Sequence, residues 1–298
     1  MRLRVSFVVV PFLFGSAHAD GDSLVDILGP REIAVGEAMR GQATGATAIG
    51  LNPAGLSLNS ELVFEGGYGY RPVDHASLVH VSACDSTGVP GCFYYNYAGS
   101  SPDIDGTGMH RTTHIAGTSV AYPITSRVSL GSSVKYLHYA TDVMGESKAS
   151  GLNFDLGAAV RINSNVSVGA AGYNLWGVES PQWSRAVGGG IVAHPISMLA
   201  LSFDARWRLA NGDRSARYGG GAELFLRSSN GQQGYPIRFG ILRDNGIGTT
   251  YMSGGLGFAG MKLSVDISAR KAVAGTNETL FIASMRFYPP VGARDDGQ

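Results

Sequence analysis

Two cysteines are the first residues of this sequence whose type and spacing could do chemistry. Cys84 and Cys92 stand on either side of the stretch DSTGVPG, and the chain has two cysteines in all. A metal pair would need further ligands, and the neighbouring sequence lacks them. In an exported chain, two cysteines at the ends of a hairpin predict a disulfide.

Other patterns that could signal catalysis or metal binding are weak. His110 and His114 have the spacing of two ligands on a helix, but we expect both to lie in a Gly-rich external loop, and no glutamate stands between them. GLGFAG, from Gly255 to Gly260, formally fits a dinucleotide fingerprint, yet a strand-like sequence follows where a helix should begin. No Gly-x-Ser-x-Gly motif and no local pair of catalytic carboxylates is present. We therefore predict no enzyme activity, no metal and no cofactor.

The N-terminus predicts export from the cytoplasm. Arg2 and Arg4 precede a short apolar run, and small residues follow at Ala17 and Ala19. This is the pattern of a signal peptide over residues 1–19, cleaved after Ala19. The whole chain has 23 basic and 23 acidic residues, so it has no broad positive surface for nucleic acid.

Alternation of apolar and polar residues dominates the sequence after residue 61. In Met198 to Arg208, for example, Leu199, Leu201, Phe203 and Trp207 share one face, and Ser202, Asp204 and Arg206 share the other. The same period of two recurs in Leu152 to Arg161, Arg217 to Arg227 and Lys262 to Arg270. This period predicts β-strands with one apolar face.

Strand length, strand number and link length favour a membrane barrel over a soluble β-sandwich. The segments are about 9–12 residues long and number about fourteen, which suits tilted membrane strands in an even-numbered barrel. Short and long links alternate, as periplasmic turns and external loops do in the bacterial outer membrane. We predict an all-β transmembrane antiparallel barrel over residues 61–288, in contact with outer-membrane lipid, and a periplasmic tail over 289–298. The last strand ends on Phe287 and Tyr288, an aromatic close like the signal read by barrel-assembly machinery.

The segment before the first strand carries the most specific motif. The sequence AIGLNPAGLSL runs from Ala48 to Leu58, and the matching positions are Ala46, Ala48, Asn52, Pro53, Ala54 and Gly55. Together with the leader and the strands, it resembles the FadL/TodX-type outer-membrane family, which imports long-chain fatty acids and other hydrophobic compounds. Weaker similarities lie in GYNLWG (Gly172 to Gly177), PIRFGILRDNG (Pro236 to Gly246) and GGLGFAGMKLSVDIS (Gly254 to Ser268).

The resemblance implies a small hatch over residues 20–60 that plugs the barrel, with Asn52, Pro53, Ala54 and Gly55 as its motif. The sequence agrees, because residues 33–49 contain good helix formers such as Glu37 and Arg40 and predict one or two short helices. Asn52 stands before Pro53, which disfavours the helical conformation, so the helix should end there. Gly55 then gives the freedom to turn into the first strand.

The functional expectation also follows from the resemblance. It implies hatch-gated, passive passage of a hydrophobic small molecule, such as a long-chain fatty acid or a hydrocarbon, across the outer membrane of a Gram-negative bacterium. The alternative is a shorter, PorV-like barrel that does not transport and instead serves as a scaffold or shuttle for an exported protein. The short external loops lack a capture groove, which favours this alternative slightly.

The polar face of the strands should line the lumen. Because both signs of charge are present, we expect paired charges that close the lumen around the hatch rather than an open selective pore. The predicted lumen charges are Glu65, Lys135, Asp155, Asp204, Arg206, Arg217, Glu223, Arg238, Asp266, Arg270 and Arg286.

Overall fold

The computed structural model of the protein describes residues 29–101, 108–209, 215–229 and 231–290. The predicted signal peptide over residues 1–19 lies outside the described residues. Most of the predicted tail, residues 291–298, also lies outside them.

Fourteen strands make up most of the chain. Each is 9 to 14 residues long, which is the length expected of a tilted membrane strand. Their bounds are β1 Leu62–Arg71, β2 Ala76–Asp85, β3 Gly91–Ser100, β4 Arg111–Pro123, β5 Val128–Thr141, β6 Ala149–Arg161, β7 Val166–Gly177, β8 Ala186–Ile196, β9 Leu199–Arg208, β10 Ala216–Arg227, β11 Gly234–Asp244, β12 Thr249–Ala259, β13 Leu263–Ala274 and β14 Thr279–Phe287.

The strands form one closed antiparallel barrel in which each strand pairs with its neighbours in sequence. Closure comes from β1 and β14, whose register runs from Phe64 opposite Phe287 to Tyr70 opposite Phe281. A closed sheet leaves no unpaired strand edge, which a lipid bilayer requires. The predicted fold class, a fourteen-stranded antiparallel barrel, is confirmed.

The alternation along the strands has the opposite sense to that of a soluble protein. In β6, the apolar Leu152 and Leu156 are 51% and 56% exposed, whereas the polar Asn153 and Asp155 are 0% and 2% exposed. The apolar faces therefore point outward and the polar faces point into the lumen. This is the arrangement that stabilises a barrel in lipid.

The links divide the barrel into two ends. Links after even-numbered strands, such as residues 124–127 and 197–198, lie at the end where β1 begins and β14 finishes, which we call the terminal end. Links after odd-numbered strands, such as 101–110 and 178–185, lie at the opposite, distal end. The antiparallel pairing of sequential strands fixes this division.

Residues 29–60, the described part of the predicted hatch, form what we call the inner segment. It contains helix α1 (Pro30–Ala34), helix α2 (Ala46–Leu51) and a 3-10 turn over Pro53–Ser57. The predicted helix content of residues 33–49 is only partly right. The good helix formers Glu37 and Arg40 lie in irregular chain, and Glu37 has a φ of 62°, because contacts with the barrel wall outweigh helix propensity there.

Among the described residues, neither helix has the length and apolar character needed to cross a bilayer.

Candidate functional site

The inner segment lies against the inward face of the wall on several sides. Helix α1 contacts β11 to β14, α2 contacts β2 and β3, and the 3-10 turn contacts β4, β5 and β6. Most of its residues are buried, including Glu32 at 2% and Arg40 at 4% exposure. At its level, the inner segment therefore occupies the space that the strands enclose.

Asn52 fastens the inner segment to the wall. It is fully buried, and its side-chain amide donates hydrogen bonds to the carbonyls of Arg40 (3.0 Å) and Ala158 in β6 (2.9 Å). Its side-chain oxygen accepts a bond from the amide of Ala54 (3.2 Å) and so caps the 3-10 turn. Ser129 in β5 donates to the carbonyl of Ala54 (2.5 Å). One polar side chain thus connects two parts of the inner segment and one wall strand.

Pro53 and Gly55 act differently from each other. Helix α2 ends at Leu51, and Asn52 is extended with a φ of −163°, as expected of a residue before proline. Gly55, however, does not turn the chain into β1, because it lies within the 3-10 turn. A Cβ on Gly55 would lie 1.9 Å from the carbonyl oxygen of Ala43, so close packing inside the segment explains the glycine.

Glycines in the wall let the inner segment approach the strands. At Gly131 in β5, a Cβ would lie 2.3 Å from the amide nitrogen of Ala54. At Gly169 in β7 it would lie 2.1 Å from the carbonyl oxygen of Arg40. Gly157, Gly219, Gly221, Gly240 and Gly255 are similarly close to the inner segment. Much of the glycine on the inward face therefore reflects backbone-to-backbone packing between wall and inner segment.

The predicted lumen charges all lie on the inward face of their strands. Ion pairs join most of them across the lumen wall, and both signs are mixed, unlike the single-sign rings of charge-selective pores. The pairs are Lys135–Asp155 (2.7 Å), Arg217–Asp244 (2.5 Å), Arg238–Glu223 (2.5 Å), Arg238–Asp266 (2.5 Å), Arg270–Glu278 (2.8 Å) and Arg286–Asp266. Arg206 lies over the ring of Tyr173 at 4.6 Å, and Glu65 lies beside Gly29.

Two ion pairs connect the wall to the inner segment itself. The guanidinium of Arg40 is 2.9 Å from the Asp204 carboxylate in β9, and its Nε donates to the hydroxyl of Tyr173 (2.7 Å). Arg270 in β13 pairs with Glu37 at 3.1 Å. Removing one partner of a buried ion pair costs about 3–5 kcal/mol. Sequence reasoning assigned Asp204 and Arg270 to the lumen but did not identify Arg40 and Glu37 as their partners. It also missed the role of Tyr173, although this residue lies in the segment GYNLWG.

The distal third of the lumen is apolar on one side. Inward-facing side chains of β2 to β5 and β14 there belong to a buried cluster that also includes Ile33, Ile49, Leu51 and Leu56 of the inner segment. The distal wall members are Ala76, Leu78, Ala98, Ile115, Leu137, Tyr139, Leu280 and Ile282. A packed apolar cluster along this side of the wall therefore extends from the distal part of the lumen to the inner segment.

Trp183 belongs to this apolar cluster at the distal end. It lies in a 3-10 turn over Pro181–Trp183, within the link between β7 and β8, and is 2% exposed. Its ring meets Tyr139 edge to face, with 6.2 Å between centroids. Its indole nitrogen finds no hydrogen-bond partner among the described residues. Sequence reasoning missed Trp183, because the link reads as an ordinary polar loop.

Cys84 and Cys92 form a disulfide between β2 and β3, and both are buried on the inward side. His114 lies in β4 rather than in a loop, and its Nδ1 is 2.8 Å from the hydroxyl of Tyr95. GLGFAG lies in β12 and the turn that follows it. Among the described residues, no group of three or more His, Cys, Asp or Glu side chains is placed to hold a metal ion.

Comparison with solved structures identifies the architecture. The Ralstonia pickettii toluene transporter TbuX superposes with a TM-score of 0.66 at 15% identity, over 89% of this chain and 99% of TbuX. This chain has the FadL/TodX-type fold. The Pseudomonas putida toluene transporter TodX gives 0.64 at 11% identity over 88% and 97% of the two chains, and a Pseudomonas aeruginosa FadL homologue gives 0.60 at 11% over 87% and 98%.

Comparison with family models and with curated sequences does not detect the FadL/TodX-type fold. No family model matches this sequence, and no curated protein matches it. With identities of 11% to 15%, the likeness lies in the backbone architecture.

Proposed function

We propose that the protein is an outer-membrane barrel for passive entry of hydrophobic small molecules, with the inner segment as its hatch. The terminal end then faces the periplasm and the distal end faces the exterior, as in barrels with short periplasmic turns. The observation that carries the proposal is the apolar side of the distal lumen, which runs from beneath Trp183 to the hatch. The FadL-type fold, found in transporters of toluene, supports it.

The lumen suits an uncharged or weakly polar cargo. A hydrophobic molecule moves favourably from water onto apolar side chains, and this interaction is non-directional. On β9 to β13 the inward charges are paired with one another or with the hatch, so they leave little free charge to bind an ion. A hydrocarbon or a fatty acyl chain is therefore the substrate class that we assign.

Trp183 acts as an external lid in this proposal. A buried indole N–H without a partner costs about 1–3 kcal/mol. When Trp183 swings out, water can hydrogen-bond to this N–H, and the recovered free energy offsets part of the apolar burial that Trp183 loses. The hatch forms the second barrier, and cargo moves it by displacing its contacts with the apolar wall.

Uptake by whole cells tests the proposal. Cells with the protein should take up radiolabelled toluene or a long-chain fatty acid faster than cells without it, and Trp183→Ala should raise the initial rate several-fold. Trp176→Ala is the matched control, because Trp176 is 77% exposed on the outer wall near the same link. Equal uptake with and without the protein, unchanged by Trp183→Ala, would contradict the proposal.

A further inference from the structure

The outer wall between β11 and β1 has an uneven distribution of charge. Its outward-facing strand residues are apolar or neutral except for two cations, Arg243 in β11 and Lys271 in β13. Both lie near the distal ends of their strands. No carboxylate shares this outward face in the described strands, since Asp244, Asp266 and Glu278 are buried on the lumen side.

A groove indents the same part of the wall, on the terminal side of the two cations. Tyr68, which is exposed, and Tyr70, which is half-buried, flank it on one side, and the exposed Leu256 and Ile267 flank it on the other. The cavity has a volume of about 510 Å³. This falls in the range of about 300–1,000 Å³ that is typical of small-molecule sites.

Small residues form the floor of the groove. Gly254 in β12 pairs with Ala269 in β13, and Ala283 in β14 pairs with Ile267, one outward-facing position nearer the terminal end. The outward-facing positions around these three carry large side chains. A Cβ on Gly254 would have its nearest neighbour at 3.6 Å, an ordinary contact. Backbone packing therefore does not demand glycine here, in contrast to the glycines that face the hatch.

We propose that this groove binds an acyl chain of a phosphorylated outer-leaflet lipid, whose phosphate contacts Arg243 and Lys271. The inference rests on the membrane orientation in the proposed function, which places the distal end in the outer leaflet. Both cations are available, because their hydrogen bonds go to neutral groups. Lys271 donates to Asn277 (2.7 Å), and Arg243 donates to the side chain of Thr250 (2.9 Å).

The geometry distinguishes this lipid from the transported cargo. Neighbouring strands lie about 4.8 Å apart and each residue rises about 3.4 Å, so Arg243 and Lys271, two strands apart and two residues offset in register, are separated by about 12 Å along the wall. Such a pair can contact one headgroup while an acyl chain descends over Ala269 and Gly254. A neutral cargo gains nothing from the two cations.

Native mass spectrometry of the purified, detergent-solubilised protein tests the proposal, with diphosphoryl lipid A as the probe and its dephosphorylated form as the comparison. We expect one tightly retained diphosphoryl lipid A. Gly254→Leu should fill the groove and weaken retention at least tenfold. Gly220→Leu is the matched control, because Gly220 faces outward in β10, outside the residues that line the groove, and its Cβ would also meet its nearest neighbour at 3.6 Å.

Charge variants test the headgroup contact. A basic residue near a lipid surface contributes about 1 kcal/mol, so Lys271→Gln and Arg243→Gln should each weaken retention about fivefold. Lys262→Gln, in the terminal-end turn before β13, should have no effect. Equal retention of both lipid forms, or equal effects of Gly254→Leu and Gly220→Leu, would overturn the proposal.

The orientation is tested separately. Met144 is 91% exposed in the distal link between β5 and β6. An impermeant thiol reagent should label Met144→Cys on intact cells. Failure to label would refute the proposed orientation, whereas labelling together with equal retention of the two lipids would refute the lipid site alone.

Discussion

At the scale of single residues, wall glycines determine how closely the inner segment, our proposed hatch, can approach the barrel. We predict that Gly131→Ala displaces the hatch, because the new Cβ would lie 2.3 Å from the Ala54 nitrogen and 2.4 Å from the Pro53 carbonyl carbon. Both atoms are backbone and cannot swing aside as a side chain could. Limited proteolysis in detergent should then cleave residues 29–60 faster, by at least tenfold.

Gly66→Ala is the control for this substitution. Gly66 lies in β1 on the outer face, and no atom lies within 4 Å of an added Cβ. It should leave the proteolysis rate unchanged and the barrel intact by heat-modifiable migration on a gel. If Gly131→Ala also left the hatch protected, close packing would not be what holds the hatch in place.

Charges and glycines differ in how far the sequence reveals their roles. Asp155 and Arg270 could be assigned to the lumen because the period of two sorts residues by face. The role of Gly131 or Gly169 could not be assigned, because a glycine facing inward and one facing outward look alike in sequence. The partner of Asp204 was also out of reach, since Arg40 lies 164 residues away and only the closed fold brings them together.

At the scale of elements, the link between β5 and β6 depends on Glu146. Burial alone would raise the pKa of the Glu146 carboxyl, but hydrogen bonds from Arg111, Tyr139 and Thr141 outweigh it and hold the pKa below its ordinary value. The folded pKa is therefore the lower one, so this contact stabilises the link above the ordinary glutamate pKa of about 4.3. That stability is lost as the pH falls through the folded pKa.

A spin label at Met144→Cys should report this loss. The two native cysteines form the disulfide, so a label reacts only at the new thiol. We expect constant mobility in electron paramagnetic resonance spectra from pH 7 to about 5 and rising mobility below about pH 4. With Glu146→Gln added, the label should be mobile throughout, whereas a label at Ser164→Cys should show no dependence on pH. A rise at low pH that persists in Glu146→Gln would contradict the role of this carboxylate.

Local sequence predicts strands better than it predicts the hatch. The period of two in the strands can be recognised without knowing which residues pack nearby. The backbone conformation of residues 35–45, in contrast, is determined by contacts with the surrounding wall. Gly36 shows the reason, because its Cβ would lie 2.3 Å from the Ile241 carbonyl oxygen and its φ is 66°. A helix continued through this point would bring side chains into β11. Tertiary contact therefore decides the backbone here.

At the scale of the whole molecule, the barrel and the hatch are separable in principle. Strand pairing closes β1 on β14 through backbone hydrogen bonds that do not involve the hatch. The number and order of strands could be predicted from sequence because consecutive antiparallel strands with alternating link lengths allow one simple closed arrangement. The state of the lumen could not be predicted, since it depends on how residues 29–60 fill it.

Deleting residues 20–60 should therefore open the barrel without unfolding it. The deleted protein should still migrate with heat-dependent mobility, and it should conduct ions in a planar lipid bilayer. Removal of Arg40 and Glu37 leaves Asp204 without its ion-pair partner, while Arg270 keeps Glu278. Because both signs of charge then line the pore, we expect weak ion selectivity.

The full-length protein with Trp183→Ala provides the contrast in the same bilayer measurement. It lacks the proposed external lid but keeps the inner segment, whose backbone contacts the wall glycines on several sides, so ions should not pass. Conductance in Trp183→Ala would mean that the lid, and not the hatch, seals the lumen against ions. No conductance after deletion of residues 20–60 would mean that the wall charges close the lumen without the hatch.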